Sequence, residues 1–135
     1  MLRPFPILLL TLALSACVKV AKNVQAQSPL SALAGSEWGP EGENADDQFV
    51  AFKTDGEVIG HGGCNRFFGT YSQEGDALTF GPLASTKMAC PNLAQEQAFL
   101  SALQSARHVE ATHMRLILKG EDGLPVLTLR RRDWD

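Results

Sequence analysis

The side chains of this sequence that could do covalent or coordination chemistry gather between Gly60 and Pro91, a stretch holding His61 and two of the three cysteines, Cys64 and Cys90. A thiol beside a base makes a nucleophile, so Cys64 with a histidine in reach would suit redox or acyl-transfer work. That chemistry needs a free thiolate, and a disulfide would abolish it. Thiols and imidazoles also hold zinc, and His61, Cys64 and Cys90 with His108 or His113 could supply four ligands. His61 and Cys64 do not stand at a familiar zinc spacing, however, so no metal and no cofactor is expected. Asn65 sits between a glycine-rich turn and an apolar run, where its amide suits bonding to backbone groups and holding an irregular conformation. The other reading makes Asn65, Arg66 and Thr86 ligand contacts around a cavity. The chain contains no G-x-x-x-x-G-K-[ST], no G-x-S-x-G and no H-E-x-x-H, the signatures of phosphate loops, hydrolase elbows and metalloprotease helices. No catalytic residue is expected, and the chain reads as non-enzymatic.

The third cysteine belongs to a different region. Arg3 precedes the apolar run Ile7 to Leu14, which is followed by Ser15-Ala16-Cys17. A charged start, a short apolar run and small residues describe a signal peptide, and the run is far short of the roughly 20 residues of a spanning helix. Leu14-Ser15-Ala16-Cys17 is similar to a bacterial lipobox, which makes Cys17 the lipidation site and first residue of the mature chain. The competing reading is ordinary secretion with cleavage after Ala26. Several acyl chains on Cys17 would give durable anchoring, at about 0.8 kcal/mol per buried methylene. Val18 follows where Asp would favour inner-membrane retention, so the expected location is the outer membrane, facing the periplasm. Lys19 to Ser36 is polar without sustained periodicity and reads as a flexible tether. The expected division is a signal peptide at 1–16, a tether at 17–35 and a domain at 36–132, with the chain entering the fold near Leu30.

Export to an oxidising compartment bears on the remaining cysteines: a Cys64–Cys90 disulfide is expected, and two buried free thiols are the alternative. Without residues 1–16 the chain keeps 119 of 135 residues, enough for one domain with one core. The removed piece carries Arg3 and no acid, so the formal charge moves from −3 to −4, which does not suit nucleic-acid binding. Arg130-Arg131-Arg132 is the one basic run; it reads as the solvated end of a strand, with contact to lipid headgroups as the alternative.

The elements that must position these residues are mostly strands. Trp38 opens the fold, and Gly39 to Asp47 is an acidic loop. Gln48 to Lys53 and Glu57 to Ile59 flank Asp55-Gly56 as an antiparallel hairpin. Cys64 to Tyr71, Ala77 to Phe80 and an extended Leu83 to Met88 follow. Asn92, with Gln95 three residues on, is placed to cap a helix whose Phe99, Leu100, Leu103 and Ala106 form one face. Val109 to Thr112, Met114 to Lys119 and Pro125 to Arg131 complete the strands, the last two as a hairpin. The class is α+β, with a compact, largely antiparallel, curved and barrel-like sheet and one helix packed on it.

Gly62-Gly63-Cys64-Asn65-Arg66-Phe67-Phe68-Gly69-Thr70-Tyr71, followed by Thr86-Lys87-Met88-Ala89-Cys90, resembles the META domain family, which includes HslJ-like proteins. The resemblance covers roughly Ser36 to Arg131 and implies a compact β-structure carrying one helix. The family's biochemical activity is undefined; its association with heat response and antibiotic tolerance implies a role in envelope stress tolerance. The expected function is thus a binding or structural module of the envelope, held to the membrane by its lipid, with a peptide, a lipid or an envelope protein as partner. The rivals are a thiol-based redox protein or enzyme using Cys64, a pilot-like lipoprotein for a secretion component, and self-association through exposed strand edges.

Overall fold

The computed structural model describes residues 29–42 and 47–133. The expected signal peptide, Cys17, most of the expected tether and Trp134 lie outside the described residues.

Nine strands and one helix are described: β1 (Ser36–Gly39), β2 (Gln48–Phe52), β3 (Glu57–Gly62), β4 (Arg66–Glu74), β5 (Ala77–Phe80), β6 (Ala84–Ser85), α1 (Leu93–Ser105), β7 (His108–Ala111), β8 (Arg115–Lys119) and β9 (Pro125–Arg131). The class is as the sequence implies: a largely antiparallel sheet with one helix on it. The strand order is β3-β2-β1-β9-β8-β7-β5-β4-β6, and β3 also pairs with β4, so eight strands return on themselves as a ring with β6 added beside β4. The hairpins fall where turn chemistry puts them. Asp55-Gly56 joins β2 to β3, with Gly56 at φ +86°, a conformation that costs a residue with a Cβ more than it costs glycine.

Alternation sets which side chains enter the ring. Trp38, Val50, Phe52, Val58, Phe67, Leu78, Leu116, Leu118 and Leu129 point inward and are buried; Phe99, Leu103 and Ala106 from the helix side close the same core. Burying an aliphatic or aromatic side chain of this kind stabilises by roughly 1.5–3 kcal/mol. The Trp38 indole N–H is satisfied inside, donating to Ser36 Oγ at 2.6 Å, while that hydroxyl donates to Leu33 O at 2.5 Å.

Several sequence expectations need correction. The tether expected over 17–35 overlaps the domain: Leu33 is fully buried, Pro29 bridges to Thr112, and the Leu30 N–H donates to Ala111 O at 2.9 Å. The physical reason is that the 29–35 segment reaches from the end of β7 across to β4 and β2 as a strap, Leu33 N–H donating to Gln73 Oε1 and Gly35 N–H to Phe52 O, which lays Leu33 on the core. Near Leu30 the expectation of entry into the fold agrees with these contacts. β4 runs on to Glu74 instead of ending at Tyr71, because its second half finds a partner in β5. Only Ala84 and Ser85 of the extended 83–88 stretch form ladder pairs, with Phe68 and Phe67. Asn92 makes no side-chain cap; its amide donates to Gly63 O at 3.2 Å instead.

Candidate functional site

The Gly62 to Asn65 turn, between β3 and β4, is held from every side. A disulfide joins Cys64 to Cys90, 26 residues on, and Cys64 is 4% exposed. Gln48 Nε2 donates to Gly62 O at 2.8 Å. At the centre stands Glu96, from the first turn of α1. Its Oε1 accepts the backbone N–H groups of Asn65 at 2.5 Å and Cys64 at 3.2 Å, and its Oε2 accepts Asn65 Nδ2 at 2.8 Å. Asn65 passes the network on: its Oδ1 accepts Met88 N–H at 2.7 Å and Thr86 Oγ1 at 2.9 Å, and its Nδ2 lies 3.3 Å from Met88 O. One amide side chain thereby pairs with the 86–88 backbone as a neighbouring strand would, while its other donor direction is spent on a carboxylate.

Glu96 is 4% exposed, and burial by itself pushes its carboxyl upward. The Asn65 amide, the Asn65 and Cys64 N–H groups and the field of His61 outweigh burial and hold the carboxyl below its ordinary value of 4.5. The helix N-terminus adds partial positive charge in the same place. A carboxylate so saturated stays ionised at neutral pH and is a poor proton acceptor. A folded-state value below the unfolded one means that Glu96 stabilises the fold above about pH 4.5 and that this stabilisation is lost as pH falls through the folded value. The stability difference between the wild type and Glu96→Gln, measured by urea unfolding, should therefore be constant near neutrality and shrink as pH drops below 4.5. A difference that grew toward acid would contradict the assignment.

The turn's glycine explains how the carboxylate gets so close. A Cβ at Gly62 would sit 2.6 Å from Glu96 Oε1 and closer still to its Cγ. Gly62→Ala must displace Glu96 from its donors and should cost about 2 kcal/mol, read as a lower urea midpoint at unchanged slope.

Of the residues singled out from sequence, Asn65 and Thr86 come together and Cys64 joins them through its N–H. Arg66 does not. Alternation turns its side chain to the outer face, where it lines a shallow hollow of about 390 Å3 with Phe49, Ile59, His61 and Phe68. Asn65, Thr86, Met88, Glu96 and Leu100 border a separate hollow of about 340 Å3. A third, of about 540 Å3, runs between α1 and β9 over Ala98, Phe99, Ala102, Val126 and Leu127. Among the described residues no group of His, Cys, Asp and Glu is placed to hold a metal, and no helix is long and apolar enough to cross a membrane. The metal combination weighed from sequence loses both thiols to the disulfide.

The residue that sequence reasoning missed is Glu96. A signal existed: Glu96, Phe99 and Leu103 are the buried positions of α1, at i, i+3 and i+7, so the carboxylate stands in line with the apolar stripe.

No curated protein matches the chain. Among solved structures, the NMR structure of a protein from Burkholderia xenovorans superposes with a TM-score of 0.61 at 25% identity, covering 76% of this chain and 85% of that one. A DUF4847 family protein from Bacteroides vulgatus ATCC 8482, known from its crystal structure, has the same fold at 14% identity and a TM-score of 0.52, covering 85% of this chain and 99% of that one. The model of the META domain matches residues 24–133, which takes in the ring, the helix, the strap and the clamped turn. The chain belongs to the META domain family.

Proposed function

We propose that this protein is a non-enzymatic lipoprotein of the cell envelope, anchored through Cys17 and facing the periplasm, in which the META domain is a binding or structural module for envelope stress tolerance. The observation that carries the reading is the use made of the polar side chains in the turn. Asn65, Thr86 and Glu96 spend their hydrogen bonds on one another and on backbone groups, and no buried side-chain polar atom among the described residues lacks a partner. A site built for turnover keeps donors or acceptors in reserve for its substrate; this one uses them to fix a loop. The sulfur of Cys64 is committed to Cys90, which weighs against a thiol nucleophile there.

Intact mass of protein purified from the membrane fraction, with and without reductant and alkylation, tests the reading. Acyl mass on a chain beginning at Cys17, with two thiols that alkylate only after reduction, supports it. An unacylated chain beginning at Gln27 would refute the anchor, and a Cys64 that alkylates without reduction would restore the redox alternative.

A further inference from the structure

Every strand of the ring is paired on both sides, and the added β6 is not: it meets β4 alone. The register shows which of its groups are left over. Thr86 N–H donates to Arg66 O at 3.1 Å and Met88 N–H to Asn65 Oδ1 at 2.7 Å, so residues 86 and 88 turn their backbone toward β4. Ser85 and Lys87 alternate with them and turn theirs away. Among the described residues the N–H and C=O groups of Ser85 and Lys87 have no partner. The edge is nonetheless held extended well beyond its short ladder. Asn65 pins 86–88 from the inner side, and the disulfide fixes the chain just beyond at Cys90. Beside this edge lies the hollow of about 340 Å3. Ser85 to Ala89 form one wall, and Leu93, Gln97 and Leu100, at i, i+4 and i+7 of α1, form the other. Both oxygens of Glu96 are taken up by the turn, so the charge this hollow offers a ligand is the exposed Lys87.

We propose that an extended peptide segment adds to β6 as a further strand, pairing its backbone with Ser85 and Lys87, turning alternate apolar side chains toward Leu93 and Leu100, and setting an acidic residue against Lys87. The proposal deepens the binding-module reading above and rests on it. An unpaired edge held extended beside a groove is the arrangement that takes up a strand: main-chain bonds give affinity, and the groove selects alternate side chains. A lipid tail could fill the hollow, but it would cover the Ser85 and Lys87 backbone groups without pairing them, which is costly. A second copy of this chain fits less well. Because α1 walls the hollow across from β6, two-fold pairing of β6 with its own counterpart would set each α1 where the other molecule's β4 runs. The strap leaves the site open. It is bonded to Gln73 and Phe52, in the later parts of β4 and β2, whereas β6 lies against Phe67 and Phe68 near the start of β4. The strand from Phe68 to Gln73 puts about 17 Å between them.

The test uses isotope-labelled full-length protein purified from the membrane fraction in detergent micelles, with amide exchange read by NMR. The probe is the end-blocked heptapeptide Glu-Val-Thr-Val-Thr-Val-Glu at millimolar concentration. Exchange at the Ser85 and Lys87 amides should slow about tenfold or more, while that at Gly75, in the β4–β5 turn, should not change. The same peptide N-methylated through its centre keeps its side chains and loses its strand donors, so it should give no protection. Ser85→Pro removes an outward N–H and no ladder bond; it should keep the thermal midpoint within about 4 °C of wild type and lose the protection at Lys87. Should that variant not fold, the methylated peptide on wild-type protein carries the same comparison. No protection by the unmethylated peptide overturns the proposal, as does equal protection by the methylated one. Protection that needs no peptide and grows with protein concentration overturns it in favour of a second copy, and protection by added phosphatidylglycerol alone overturns it in favour of lipid. Lysine in place of both glutamates should weaken the protection, and equal protection would overturn the acidic partner. Acylation and thiol alkylation are read by intact mass on the same sample, so failure of the anchored, disulfide-closed reading and failure of the edge give different results.

Discussion

Replacing Asn65 by alanine should lower the stability of the domain by on the order of 3 kcal/mol, because the truncation takes from the buried Glu96 carboxylate its one donor on Oε2 and frees the 86–88 segment from the turn. Glu96 Oε2 loses its donor inside the fold, while Met88 N–H, Met88 O and the Thr86 hydroxyl, on exposed residues, exchange the amide for water. For a domain of about 100 residues each kcal/mol moves the thermal midpoint by roughly 4–8 °C, so the melt should fall by more than about 10 °C. Asn65→Asp separates this account from a simple packing effect. It keeps the volume but faces one carboxylate with another, so it should be worse than alanine at neutral pH and recover toward acid as one of the pair takes up a proton. Thermal melts of both variants at neutral and mildly acidic pH check this. An alanine variant within about 1 kcal/mol of wild type would show that water replaces the amide without loss, and that the network does not hold the turn.

The second large effect is expected from the disulfide. A cross-link closing a loop of 26 residues restricts the unfolded chain by about 3 kcal/mol on the loop-entropy account. Cys64→Ser with Cys90→Ser, or reduction of the wild type, should therefore cost about that much, and urea unfolding with and without reductant measures it. The bond and the Asn65 network hold the same turn, so the losses should not simply add. Combining Asn65→Ala with the loss of the disulfide should show an interaction term of at least about 0.5 kcal/mol, the range typical of contacting groups. Strict additivity would mean that bond and network act on separate parts of the fold.

How legible all this was depended on how local each determinant is. The hairpin at Asp55-Gly56 and the one between Met114 to Lys119 and Pro125 to Arg131 could be read because a turn is specified within a few residues, and the flanking strands then alternate about it. The helix could be read from Phe99 and Leu103 for the same reason. Glu96 could not, because a glutamate in the first turn of a helix is ordinarily a solvated, dipole-favoured residue. What makes it a clamp is the arrival of Cys64 and Asn65, more than 30 residues earlier in the chain. Asn65 is legible as a structural amide from the glycine turn beside it, whereas the outward turn of Arg66 follows from its place as the first residue of β4 and the alternation that begins there. The strap escaped because Leu30 and Leu33 stand in a polar stretch too short to show a period. Leu33 is buried and Leu30 half-buried because β7, β4 and β2 come together beneath them, which happens only once the ring has formed.

The strap has a further consequence for how strongly the domain must bind anything near it. On the anchored reading proposed above, a tether running to the first strand would let the domain sweep a volume several times larger; with the fold beginning at Pro29, the domain would be confined to a shell about 40 Å deep. Within such a shell a partner fixed in the same membrane is met at an effective concentration on the order of millimolar. A face or groove whose intrinsic dissociation constant is itself only about millimolar would then be occupied about half the time. A domain anchored in that way would function with weak, shallow and wet contact surfaces, and assays with it free in solution would then understate binding by the whole of that confinement.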